Sequence, residues 1–165
     1  MRDISEAIAE KLEGLINLTL SKLIKPDITV ENVRKLDKEQ IRKLKDEKGI
    51  EGIILDVDET IRKNMQDIPA CNKEWIKAMQ GELKVIILTN GKDKALSQYF
   101  EEQGIDYIDF ALKPLKKNFK KACKLMNLKP DQVMVVGDDL FDDIFGGKKN
   151  KMKTVLVKSV EDNER

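Results

Sequence analysis

Histidine is absent from this chain, which removes His-centred triads and every His-ligated zinc site at once. The two cysteines, Cys71 and Cys123, form no CxxC pair. Both fall in patterns that read as helix faces, where a buried thiol is expected rather than redox or metal chemistry. Bulk charge is missing too: 31 basic and 30 acidic side chains nearly cancel, so net charge names no partner. No apolar run approaches the roughly 20 residues of a membrane-spanning helix. The acidic start, "MRDISEAIAEKLE", lacks the basic n-region of a signal peptide. A reduced, cytoplasmic protein is the expectation. What remains is 165 residues, 37% of them charged, with apolar segments too regular for disorder. That length suits a single core.

Residues 4 to 24 place Ile4, Ile8, Leu12, Leu15, Ile16, Leu23 and Ile24 at helical spacing, and Pro26 stops that helix. A short turn and a second helix closed by Gly49 are read next. From Ile50 the texture changes to short, β-branched runs: "GIILDVD", "LKVIILTN", "YIDF", "QVMVVGDD" and "KTVLVKS". Helical stretches alternate with them at Asn72 to Gln80, Lys94 to Gln103, Lys116 to Asn127 and about Leu140 to Lys148. Alternation of this kind predicts an α/β fold, a doubly wound three-layer sandwich on a mostly parallel five-stranded sheet. The expected division is an N-terminal helical extension over 1–49, packed on the core or on a partner, and a catalytic domain over 50–165.

In "GIILDVDETIRKN" a buried-looking strand runs straight into two carboxylates, Asp56 and Asp58. Like charges that close repel and lose hydration if buried. In an open parallel sheet, however, the carboxyl ends of the strands form the ligand-binding rim. Later runs also deliver polar residues: Thr89 and Asn90 at the end of one, Lys113 shortly after the next, then Asp138 and Asp139. Asp56, Asp58, Asp138 and either Asp142 or Asp143 would crowd about four negative charges together. At an effective dielectric of ~20, two such charges 4 Å apart cost on the order of 4 kcal/mol. An all-oxygen cluster calls for a hard cation, and Mg²⁺ suits one that leaves room for a substrate oxygen. Thr89, strand-end N–H groups and Lys113 complement a phosphate. Asp56, at the strand's last position, suits a carboxylate nucleophile, and Asp58 a general acid and base.

"DVDET", "LTN", an isolated Lys-Pro and "GDDLFDD" resemble, in order, the four motifs of the haloacid dehalogenase (HAD) superfamily over roughly residues 50 to 158. The flanking "KPD", "ILTNGK", "ALKP" and "VVGDDLFDDIFGG" resemble the YqeG-type HAD-IIIA phosphatases, relatives of phosphatidylglycerophosphate phosphatases. That resemblance implies Asp56 as nucleophile, Asp58 as acid/base and Thr89 and Asn90 near the phosphate. It also implies Lys113 as charge anchor and a metal held by Asp56, Asp138 and the Asp58 carbonyl. Asp143 fits the family's GDxxxxD spacing and is the expected last ligand; Asp142 fits GDxxxD. Two departures stand out: Glu59 replaces the usual Asn, and Asp139 a common Gln. Both add negative charge at the entrance.

Only 28 residues lie between Thr60 and Thr89, and 22 between Asn90 and Lys113, too few for a cap domain with its own core. An uncapped rim favours a large or surface-bound phosphorylated substrate, or a partner chain completing the site, which a homo-oligomer would supply. From Lys113 to Lys129 there are seven lysines and no acid; a solvated helix face is the plain reading, and an anionic membrane surface the sharper one. Nucleic acid is not expected. The N-terminal helix shows Asp3, Glu6, Glu10 and Glu13 on its polar face, a poor match for anionic lipid. A non-catalytic phosphoacceptor or binding scaffold is the rival from another class; the Asp two residues beyond the nucleophile argues for hydrolysis instead.

Overall fold

The computed structural model describes residues 4–161; Asp3 lies outside them. Six strands, all parallel, make one sheet in the order β1-β6-β5-β2-β3-β4. They are β1 (Ile28–Val30), β2 (Gly52–Leu55), β3 (Lys84–Leu88), β4 (Asp106–Ile108), β5 (Val133–Gly137) and β6 (Lys153–Val157). The helices are α1 (Ile4–Leu23), α2 (Lys38–Lys48), α3 (Ala70–Gln80), α4 (Lys94–Glu102), α5 (Lys116–Met126) and α6 (Gly146–Lys149). The doubly wound sandwich is as expected, but the sheet has a sixth strand. "ITV" pairs with β6 from Ile28↔Val155 to Val30↔Val157, where a turn was read.

Alternation along the strands builds two cores. Ile53, Leu55, Met134 and Val136 face α2, α3 and α4, meeting Ile41, Trp75, Ile76, Met79, Leu96 and Phe100. Ile54, Val133 and Val135 point the other way, onto Phe119, Ala122, Cys123 and Met126 of α5. Each fully buried aliphatic contributes about 1.5–3 kcal/mol. Trp75 packs as its helical neighbours suggested, donating Nε1–H to the Leu36 carbonyl at 2.8 Å. Cys123 is buried, but Cys71 is exposed on the first turn of α3, against the expectation of two buried thiols. Its neighbour Asn72, not Cys71, takes the inward position.

The segment before Gly52 divides. Val33, Leu36 and Ile41 are fully buried in the shared core, while α1 is exposed along residues 4–19. The apolar stripe of α1 is thus exposed from Ile4 to Ile16, and only Leu23 and Ile24 at its end are half-buried. No described helix is long and apolar enough to cross a membrane.

The chain winds from β2 through β3 to β4 on one side and to β5 and β6 on the other. The switch point thus lies between β2 and β5, and a crevice opens beyond their carboxyl ends.

Candidate active site

Asp56 sits where the sheet ends. Its backbone N–H donates to Val136 O at 3.0 Å, one step beyond the β2 ladder, so its carboxylate leaves the strand at the switch point. The chain then curls: the N–H groups of Thr60, Ile61 and Arg62 all aim at Val57 O, at 3.1, 2.9 and 3.4 Å. Glu59 takes the left-handed conformation at the turn, with φ 61°, a position that suits Asn or Gly better than Glu. This curl sets the Asp58 carboxylate against Arg62 and near Gly91, outside the cluster that Asp56 joins, and aims Thr60 back at the first acid.

Lys113 joins the arms of the site. Its Nζ donates to Asp56 Oδ1 and to Asp143 Oδ1, each at 2.7 Å. Thr60 Oγ1 donates to Asp56 Oδ2 at 2.8 Å and lies 3.3 Å from Asp138 Oδ1. Asp56, Asp138 and Asp143 bring a carboxylate oxygen each within 4.8 Å of one another. Asp142 is turned away: its Oδ2 accepts from Asn90 Nδ2 at 3.0 Å. The Asn90 amide is committed on both ends, since its Oδ1 accepts from Lys113 N at 2.7 Å. It ties the β3 loop to the lysine loop instead of standing free. Thr89 is buried, its hydroxyl oxygen accepting from Gly91 N at 3.2 Å.

The charge balance is tight. Burial, then the charge of Asp56, pushes Asp138 up to about 7. Burial likewise pushes Asp143 up to about 7, with Lys113 working against it. Burial alone would lower the Lys113 ammonium, but the carboxylates of Asp143 and Asp56 outweigh it and raise it. Three carboxylates facing one ammonium hold more negative charge than this pocket neutralises. A hard divalent cation fits: the donors are all oxygen.

Three participants were not read from the sequence. Thr60 and Arg62 lie four residues after Asp56 and Asp58, the one-turn spacing that the strand-like run disguised. Arg62 is nearly buried and donates Nε–H to Asp58 Oδ1 at 2.8 Å and an Nη1–H to Asp93 Oδ2 at 2.9 Å. Burial works against its charge, yet the two carboxylates raise its pKa above the ordinary value. Asp93 also caps α4, accepting from Leu96 N at 3.0 Å. A Leu96 N–H bond, then Arg62, hold the Asp93 carboxyl below its usual range.

The model of the haloacid dehalogenase-like hydrolases matches residues 2–150. The chain belongs to that family. This HAD hydrolase is 32% identical over 149 residues to a probable phosphatase, YqeG, of Bacillus subtilis (strain 168), covering 88% of this chain and 83% of that one. It is also 32% identical over 103 residues to a glyceraldehyde 3-phosphate phosphatase of Pyrococcus furiosus, covering 57% of this chain and 43% of that one. In fold it is similar to a HAD family enzyme of Bacteroides thetaiotaomicron crystallised with magnesium and inorganic phosphate. That likeness has TM-score 0.55 at 11% identity, over 70% of this chain and 98% of that one. An uncharacterised Listeria monocytogenes protein gives TM-score 0.53 at 18% identity, over 70% and 84%. As an enzyme, the HAD hydrolase described here is a phosphatase.

Proposed function

We propose that this phosphatase hydrolyses a phosphomonoester in two steps through a phosphoryl group carried on Asp56, with Mg²⁺ as cofactor. The observation that carries the reading is the convergence of Asp56, Lys113, Asp138 and Asp143 at the switch point of the sheet. Asp56, Asp138, Asp143 and the Asp58 carbonyl would hold the metal, which when bound neutralises charge on the transferring phosphoryl oxygens.

The residues supply the rest. Lys113 and Thr60 occupy one lone pair on each Asp56 oxygen, fixing the carboxylate while leaving a further lone pair for attack on phosphorus. As the Asp56–phosphorus bond forms and the ester P–O bond breaks, Asp58 gives its proton to the leaving oxygen. A water then attacks the phosphorus, Asp58 takes the water's proton, and the Asp56–phosphorus bond breaks to release inorganic phosphate. Thr89 and the N–H groups beyond β3 face the phosphoryl oxygens, and Lys113 offsets their charge. Arg62 anchors Asp58 within the loop.

The rim is open. Between Thr60 and Thr89 the chain builds a loop, α3 and β3, and between Asn90 and Lys113 it builds α4 and β4; neither segment forms a separate cap. A large or surface-bound phosphorylated substrate suits such an entrance. A lipid phosphate such as phosphatidylglycerophosphate, presented at an anionic membrane surface, is a second reading. It is favoured by exposed Phe110, Leu112, Leu115, Leu140 and Phe141, all beyond the carboxyl ends of the strands. The test is p-nitrophenyl phosphate turnover with and without Mg²⁺ for the wild type, Asp56→Asn and Asp58→Asn. Loss of activity in both variants and in chelator is expected. Wild-type turnover by Asp56→Asn with metal present would overturn the mechanism.

A further inference from the structure

The lysines that follow Lys113 do not simply coat a solvated helix. A cavity of about 400 Å³ runs beside α5, where it meets the turns before β5 and β6. Lys116, Lys120 and Lys124 line it from α5, and Lys149 and Lys151 from the opposite wall. No Asp or Glu lines it. Among the described residues, none of these five lysines forms a salt bridge. The floor is apolar, made by Cys123, Leu128, Pro130 and Met152. Burial pushes the Cys123 thiol up, which keeps it neutral and part of that floor.

Asn150 completes the lining. It is 5% exposed and donates Nδ2–H to Gly146 O at 2.7 Å. Among the described residues, its Oδ1 is the single buried side-chain polar atom with no hydrogen-bond partner. Native interiors satisfy nearly every such atom, so this one stands out. Turning the amide over would set Oδ1 against the Gly146 carbonyl, so the unmet group is an acceptor. Size, an apolar floor and a few convergent polar groups are the ordinary makings of a small-molecule site.

We infer that this groove is a second binding site, for a phosphorylated small molecule whose body is flat or apolar. The phosphates would lie among the five lysines and the body on Leu128, Pro130 and Met152. Leu128 and Pro130 precede β5, and Asn150 and Met152 precede β6. These residues therefore stand at the amino ends of the strands, across the sheet from Asp56. A body held there lies at the opposite end of the sheet from Asp56, so the occupant would be an effector and not a substrate. A physical path to the site exists. Asn150 bonds Gly146, and a Cβ on Gly146 would come within 2.6 Å of Phe119 Cζ and 3.3 Å of Pro114 Cβ, so Gly146 abuts the residue next to Lys113.

The experiment is calorimetric titration of the full-length Asp56→Asn protein, which cannot turn the probe over, in metal-free buffer. ATP serves as probe, with inorganic triphosphate for comparison. One ATP per chain is expected, at least tenfold tighter than triphosphate, and ATP should slow amide exchange at residues 146–152. Lys120→Glu with Lys151→Glu should weaken ATP at least tenfold with an unchanged circular dichroism spectrum. Lys77→Glu with Lys94→Glu, exposed lysines elsewhere, should change it less than twofold. Absence of ATP binding, equal affinity for triphosphate, or an equal loss in the control pair would each overturn the assignment. None of these readouts depends on catalysis, so a failed phosphatase assay and a failed titration are distinguishable.

Discussion

Single atoms decide the geometry around Asp143. At Gly137, the last residue of β5, a Cβ would fall 2.2 Å from Asp143 Oδ2 and 2.7 Å from Asp143 Cβ. The absence of a side chain there is what lets Asp143 fold back under the rim and reach Lys113. Gly137→Ala should cost about 1–3 kcal/mol by overpacking, read by urea unfolding, and should lower kcat by displacing Asp143. Wild-type turnover in a destabilised Gly137→Ala would show that Asp143 does not matter to the reaction. Arg62 offers a different lever. Removing it leaves two partly buried carboxylates without their shared donor, a loss of about 1–3 kcal/mol. With Asp58 no longer anchored, protonation of the leaving oxygen should suffer most. Arg62→Met should therefore slow an alkyl phosphate far more than p-nitrophenyl phosphate, whose phenolate leaves with little help. Equal slowing of both substrates would assign Arg62 to stability alone.

Among the elements, β1 is the one held by side chains as much as by its ladder. Asp27 N–H donates to Thr154 O at 3.1 Å, while Asp27 Oδ2 accepts from Thr154 N at 2.9 Å. Lys148 Nζ donates to Asp27 Oδ1 at 2.6 Å. Burial alone would raise this carboxyl, but the bonds from Lys148 and Thr154 outweigh it and set it below its ordinary 3.8. A depressed carboxylate stabilises the fold fully above that ordinary value, and the contribution disappears as pH falls through the lower, folded value. Asp27→Ala should lose about 1–2 kcal/mol at pH 7, since the pair is partly solvated. In urea titrations the gap to wild type should narrow in strong acid. A gap that is constant with pH would show the carboxylate charge to be irrelevant.

This strand was also the element the sequence concealed. The five runs after Ile50 announce themselves through β-branched residues and polar ends. "ITV" has three residues, too few for a period to show, and it follows "KPD", which signals a turn. The stretch from Leu140 was read as a plain helix, yet Leu140–Phe145 is a wider π-type turn running into α6. Asp139 Oδ1 accepts from both Phe141 N and Asp142 N, and that double cap sets which of the neighbouring aspartates turns inward. Asp56, Thr89 and Asp138 were visible because each directly follows a strand, and Lys113 and Asp143 because they come soon after one. Arg62 and Thr60 were not, because nothing in the run before them announces that the chain curls.

At the scale of the whole molecule, the acid cluster sets the folded state against itself. Asp56, Asp138 and Asp143 are drawn together by the sheet's winding, and Lys113 is the cation bonded among them, to Asp56 and Asp143. A cation that binds the folded chain and not the unfolded one stabilises the entire fold by mass action. At a hundredfold excess over its Kd this amounts to about 2.7 kcal/mol. For a chain of this length that raises Tm by about 5–11 °C. Mg²⁺ should produce such a rise in the wild type, and chelator should reverse it. Asp138→Asn should behave oppositely in both respects. With one of three crowded charges neutralised and the Thr60 contact still available to its amide oxygen, it should melt no lower than wild type in chelator. It should also fail to respond to Mg²⁺. Magnesium raising Tm equally in both proteins would place the ion elsewhere on the molecule, and the three carboxylates would then need another explanation for their closeness.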